Sequence, residues 1–183
     1  GADYDAAHAA ALAIANERGA TYVHAFDDPD VIAGQGTVAL EMLDERPDLD
    51  AIVVPVGGGG LIAGTVLAVA DLARKPRIVG VQSKDGSAFA DSFALGSLIE
   101  RPASTIADGI AVRRPSERTL AIAREGVSEM VTVSDEQIAS AIVALLERHK
   151  LLAEGAGAAA LAAVLAGKGS LRGARVGVIV SGG

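Results

Sequence analysis

The chain contains no cysteine and no tryptophan, and only 3% of its 183 residues are aromatic. Without cysteine there is no disulfide, no thiolate metal site and no thiol nucleophile. With so few rings, alanine, valine, leucine and isoleucine must fill the interior of a chain that is 50% hydrophobic. That suits a parallel sheet wrapped in alanine-rich helices. Long apolar runs are missing too: a membrane-crossing helix needs roughly 18 such residues, and the stretch from Ala156 to Ala166 stops at Gly167-Lys168. Positive charge is sparse. The formal net charge is -7 and the 16 Lys and Arg are scattered, which argues against nucleic acid or an anionic membrane as partner and leaves small molecules. Gly1-Ala2-Asp3-Tyr4-Asp5 has no start methionine and neither the basic nor the apolar segment of a signal peptide, so a cytoplasmic fragment or a processed chain is expected.

What is present alternates between helical and strand patterns. The residues predict a helix from Tyr4 to Arg18, with Asp3 and Asp5 as N-cap and first-turn acids and Gly19 as its stop. A short strand is expected over 20–26, a turn at Asp27-Asp28-Pro29-Asp30, and a helix from Val31 to Leu43. Gly34-Gln35-Gly36 interrupts that helix at a cost of about 1 kcal/mol per glycine, and a packing role is expected to compensate. Further strands are expected at 51–56, 77–82, 129–133 and 175–180, and further helices at 61–73, 87–95, 116–125, 135–150 and up to about Ala166. Ser134 and Gln137 form a capping box, with Val133 and Ile138 as its hydrophobic staple. Such alternation predicts an α/β fold: an open, mostly parallel twisted sheet with helices on both faces. Ligands of such sheets sit beyond the carboxyl ends of the strands. Gly57 to Gly60, Gln82 to Ala88 and Ser181 to Gly183 are the places to look.

Val53-Val54-Pro55-Val56-Gly57-Gly58-Gly59-Gly60-Leu61-Ile62 reads as strand, glycine loop and helix in series. Glycines admit an anion close to the backbone, and the helix's free N–H groups point at it. A nucleotide P-loop would follow its last glycine with Lys and Ser/Thr, where Leu61 and Ile62 stand. The spacing Gly58-x-Gly60-x-x-Ala63 fits a loose dinucleotide fingerprint, but the next strand ends in Gln82 where that fingerprint wants an acid. A loop serving only chain geometry is the bland alternative.

Five blocks carry a resemblance: Phe26-Asp27-Asp28-Pro29-Asp30-Val31-Ile32-Ala33-Gly34-Gln35-Gly36-Thr37, Pro55-Val56-Gly57-Gly58-Gly59-Gly60-Leu61, Ile106-Ala107-Asp108-Gly109, Glu154-Gly155-Ala156-Gly157 and Ser181-Gly182-Gly183. In this order they resemble the threonine/serine dehydratases and serine racemases, pyridoxal-phosphate enzymes of the tryptophan-synthase-β fold type. The resemblance implies that Gly57, Gly58, Gly59, Gly60 and the Leu61 N–H hold the cofactor phosphate. It also implies that Ser181 is the neutral partner of the pyridine nitrogen, and that Gly109 and Glu154 lie near the cofactor. The lesser alternative for Glu154 is a first-turn acid complementing the helix dipole, and Asp108 could equally be an Asx-turn residue. His8 and His149 are expected to be solvated, and His24 structural.

Two departures qualify the resemblance. Divalent-ion-stimulated relatives carry a carboxylate where this chain has Gln82, and oxygen ligands where it has Gly86 and Ala88, so no metal is expected; Asp85 is the one nearby acid. The Schiff-base lysine, which the family places upstream in a Ser-x-Lys motif, is absent. Lys75, Lys84, Lys150 and Lys168 match no such motif; Lys75, Lys150 and Lys168 are expected on solvated faces, and Lys84, following a strand's carboxyl end, is the one lysine that could approach the site. Truncation at both ends is the economical reading. Residues 1–29 would be the trailing part of a small substrate-side domain and 30–183 most of the large cofactor domain, a piece expected to expose apolar surface and to be inactive alone. The implied parent is a β-eliminating lyase turning L-threonine or L-serine into a 2-oxo acid and ammonia, and a homodimer. A serine racemase of the same fold, or a non-catalytic dinucleotide- or phosphate-binding domain, are the alternatives.

Overall fold

The computed structural model describes residues 4–183; Asp3, expected as an N-cap, lies outside them. The helix α1 (Tyr4–Arg18) ends at a left-handed Gly19 with φ 62°. Next come α2 (Pro29–Glu45), β1 (Ala51–Pro55), α3 (Gly60–Val69), β2 (Arg77–Ser83), α4 (Ala88–Leu95), α5 (Glu117–Gly126), β3 (Val127–Val133), α6 (Asp135–Ala144), α7 (Gly155–Leu165) and β4 (Val176–Val178). The four strands pair in parallel in the order β3-β2-β1-β4.

Alternation along the strands sorts the core into two layers. Ala51, Val53, Val79 and Val81 face one side, where Ile138 and Ala141 of α6 and the alanines of α7 cover them. Ile52, Val54 and Ile78 face the other, against Ile62 and Val66 of α3, Phe89 of α4 and Leu120 of α5. Alanine lets α7 lie close on the sheet: Ala158, Ala159, Ala160 and Ala163 are wholly buried. So the fold is the expected open α/β sandwich, its interior built from small and branched aliphatic side chains.

Helix starts follow the local chemistry. Asp28 caps α2 by accepting from the N–H groups of Asp30 and Val31, with Pro29 in the first turn. Ser134 and Gln137 close the expected capping box on α6. Gly36 and Gly64 form the crossing of α2 on α3: a β-carbon on Gly36 would stand 2.8 Å from the Gly64 carbonyl oxygen, and one on Gly64 would strike the carbonyl of Ile32. Gly34 has nothing in that direction. The packing role expected of this motif belongs to its second glycine.

Several boundaries differ from expectation. Residues 20–26 form no strand; they run irregularly with Tyr22, His24 and Phe26 half-buried and Thr21, Val23 and Ala25 exposed, and they pair with neither edge of the sheet, so their alternation reflects the packing of Tyr22, His24 and Phe26 in a ring cluster rather than a ladder. The helix expected over 61–73 stops at Val69, where the Ala70 N–H turns back to Leu67 rather than continuing the ladder. α6 gives way at Leu145–His149 to a π-helical turn and ends on a left-handed Lys150. β4 is three residues rather than six, since its ladder with β1 runs only from Ala51–Val176 to Val53–Val178.

Candidate active site

From β1 the chain steps outward to β2 and β3, then returns to place β4 on the other side of β1. That reversal opens a crevice beyond the carboxyl ends of β1 and β4, the place where open parallel sheets bind ligands. The segment leaving β1 there is Gly57 to Gly60, and the one leaving β4 is Ser181 to Gly183. A cavity of about 350 Å³ lies between them, lined by Gly57, Gly58, Gly59, Gly60, Leu61, Gly109 and Ser181, and also by Tyr4, Phe26 and Gln35. Seven of the eight site residues picked from sequence thus meet in one cavity.

The glycine loop is shaped by its surroundings. Gly59 is the N-cap of α3 in the left-handed region, φ 96°, and no side chain caps the helix. The first bond inside α3 runs from the Ala63 N–H to the Gly59 carbonyl, so the first-turn N–H groups of Gly60, Leu61 and Ile62 are those a helix leaves to an outside partner. Around the loop there is no room for side chains. A β-carbon on Gly58 would enter the Phe26 ring, one on Gly59 would meet Phe89 and Thr119, and one on Gly57 would stand 3.1 Å from the Ile110 Cα. Uncapped N–H groups at a helix start attract an anion by hydrogen bonding and by the helix dipole together.

Glu154 is the eighth residue, and it stands behind the wall rather than on it. It is the N-cap of α7 by backbone, yet its carboxylate makes no cap bond; Oε1 lies 3.3 Å from where a Gly109 β-carbon would be and 2.6 Å from that of Gly182. Glu154 thus stands at the start of α7, as expected, with its carboxylate wedged between the two glycine segments. Its N–H donates to the Gly182 carbonyl at 3.2 Å, and Gly157 leaves space for that carbonyl. These contacts dock the tail on α7 and hold Ser181 at the cavity. Asp108 accepts from the Gly109 N–H at 2.9 Å and opens a short 3-10 turn, Asp108–Ile110, so it is both a turn residue and part of the lining.

A ring cluster borders the cavity. Tyr4, His8, Tyr22, His24 and Phe26 contact one another with centroids 4.6 to 6.0 Å apart. His8 is not solvated as expected: it is half-buried and shares a 3.0 Å hydrogen bond with the Tyr22 hydroxyl. His24 is structural, its Nδ1 accepting from the Phe26 and Asp27 N–H groups at 3.3 and 3.0 Å. Burial, then the neighbouring His8, lowers the His24 pKa against the opposing pull of Asp27 and Asp28. Burial chiefly, with Tyr22 beside it, pushes the Tyr4 phenol up to about 12.

None of the four lysines lines the cavity. Lys75, Lys84 and Lys150 are exposed, whereas Lys168 is half-buried and donates to the Thr132 carbonyl, which corrects its expected placement on a solvated face. Gln82, wholly buried, accepts from the Ala90 N–H at 2.9 Å and so secures the start of α4. Among the described residues no group of three His, Asp or Glu is arranged to hold a metal ion. Sequence reasoning missed Gln35, Phe26 and Thr119 as parts of this site; Gln35 and Phe26 lie inside a recognised block, but Thr119 carries no local signature.

These features define an α/β domain with a glycine-walled anion cradle at its topological switch point. The family described as "Pyridoxal-phosphate dependent enzyme" matches residues 1–182, and the chain belongs to it. It is 51% identical over 166 residues to an L-threonine ammonia-lyase of Geobacter sulfurreducens, covering 90% of this chain and 41% of that protein. Its backbone resembles maize serine racemase with a TM-score of 0.89 at 35% identity, covering 96% of this chain and 55% of that one. For the processed form of threonine deaminase isoform 2 from Solanum lycopersicum the TM-score is 0.85 at 32% identity, covering 93% of this chain and 51% of that one. The chain spans about half the length of the curated relatives it matches.

Proposed function

We propose that this chain is the cofactor-holding part of a pyridoxal-phosphate lyase that converts L-threonine or L-serine into a 2-oxo acid and ammonia. The observation that carries the reading is the meeting of the uncapped, left-handed start of α3 with Ser181 across one cavity. The residues fit the group. Four glycines hemmed in by Phe26, Phe89, Thr119 and Ile110 present only backbone to the cavity, and each N–H bond to a phosphate dianion contributes about 1.5–3 kcal/mol. No Lys or Arg is needed. Ser181 would meet the ring nitrogen with a hydroxyl, which hydrogen-bonds it without sharing a proton as an acid would. Gly109 forms the adjoining wall, with Glu154 packed behind it. Pyridoxal phosphate, when bound, supplies an electron sink for the Cα–H bond electrons of the amino acid; this chain's residues bind and orient it, and the lysine that would join it covalently is assigned to the longer protein.

Residues 1–29 belong, in this reading, to the substrate-side domain and 30–183 to the cofactor domain. The protein is assigned to the cytoplasm, as a homodimer acting on free amino acids, without nucleic-acid or membrane partners. The similarity to a serine racemase makes racemisation the second reading. The dinucleotide reading is weakened because Gln82, at the position of its acid, is committed to α4. The test is to supply the longer protein with pyridoxal phosphate and L-threonine or L-serine and follow keto acid and D-serine separately. 2-Oxobutyrate from threonine supports the lyase; D-serine without keto acid supports the racemase; neither product overturns both.

A further inference from the structure

Thr119 lies in the first turn of α5 and is wholly buried. Its hydroxyl donates to the Gly58 carbonyl at 2.8 Å, across 61 positions of sequence. The alternative acceptor, the Ser116 carbonyl, is farther at 3.4 Å. Ser116 holds Thr119 in place: its Oγ accepts from the Thr119 N–H at 3.1 Å and stands 3.0 Å from the Thr119 Oγ1. With its own proton given to Gly58, Thr119 accepts in that last contact.

The consequence lies one atom further along the loop. In a trans peptide the carbonyl and the next N–H point in opposite directions, and no peptide bond among the described residues is cis. Fixing the Gly58 oxygen against α5 therefore turns the Gly59 N–H away from α5. Thr119 and Phe89 occupy the back of Gly59, and the cavity occupies its front. A peptide between two glycines can otherwise flip at little steric cost, because glycine accepts either sign of φ. We infer that Thr119 is a positioning residue: its hydroxyl selects the orientation of the Gly58–Gly59 peptide that presents the Gly59 N–H to a bound phosphate. This deepens, and rests on, the reading of the loop as a phosphate cradle.

Two measurements on this chain test it. The first compares Thr119→Val, which keeps the shape and removes the hydroxyl, with Thr119→Ser, which keeps the hydroxyl, by titration with pyridoxal phosphate and with inorganic phosphate. Valine is expected to weaken both about tenfold or more, the share of one charge-assisted bond, and serine to restore affinity to within about threefold, the range left for imperfect packing. A folded valine variant with unchanged affinity overturns the inference, as does a serine variant no better than valine. The second needs no variant and decides the matter if valine prevents folding. In the amide spectrum of the unaltered chain, inorganic phosphate is expected to shift Gly59 together with Gly60 and Leu61. Shifts at Gly60 and Leu61 without Gly59 overturn the role of Thr119 and leave the cradle standing; no shift at any of the three overturns the cradle as well.

Discussion

Gly59 concentrates two constraints that no other residue type satisfies. Its φ of 96° is unfavourable for an L side chain, and the direction of a β-carbon is blocked by Phe89 and Thr119. Gly59→Ala is expected to destabilise the chain by on the order of 2–5 kcal/mol, from backbone strain and overpacking together, and to remove phosphate binding. Urea denaturation and a phosphate titration read the two effects; an alanine variant of ordinary stability would contradict the geometry. Much of this was legible beforehand, because four glycines between a branched run and a helical run have few readings. Thr119 was not. A threonine on an amphipathic helix looks like any other, and only the fold brings α5 behind the loop.

Among the elements, the α2–α3 crossing gives the sharpest contrast. Gly34 and Gly36 share a helix and two residues' separation, yet only Gly36 faces α3. Gly34→Ala is expected to stabilise by roughly 0.5–1 kcal/mol, since alanine has less freedom to lose in a helix. Gly36→Ala is expected to destabilise by about 1–3 kcal/mol by forcing the helices apart. Denaturant midpoints of the two variants should move in opposite directions, and movement in the same direction would show that the crossing is not where it is drawn. The sequence marked every strand of the sheet by its branched residues, and the capping box fixed the start of α6. Residues 20–26 misled because Tyr22, His24 and Phe26 alternate as a strand's would; alternation reports a half-buried extended chain, whereas a strand also needs a neighbour to bond with. The shortening of β4 has the same cause in milder form, since its outer side has no partner among the described residues.

At the scale of the whole molecule, acid should loosen the structure in two stages. His24 has a pKa below its ordinary 6.5, so as pH falls past that value the unfolded chain takes up a proton that the folded one resists. Stability is therefore complete above 6.5 and declines from there toward the folded pKa. The groups around it are His8, Tyr22, Tyr4, Asp27 and Asp28, and the contact at risk is that of α1 and residues 20–28. Asp50 has the same sign from a different cause and in a lower pH range: the Arg175 guanidinium, and its N–H at 2.9 Å, hold the carboxyl far below the ordinary 3.8. What it contributes is present above 3.8 and is lost only as pH falls below it. Arg175 precedes β4, so amide exchange in β4 should stay slow at pH 5 while the ring cluster has begun to open; simultaneous loss would refute the separation. The ring cluster also makes the molecule report on itself. Both of its tyrosines lie there and it has no tryptophan, so its intrinsic ultraviolet emission is a private optical channel for that one corner, silent about the sheet and needing no label.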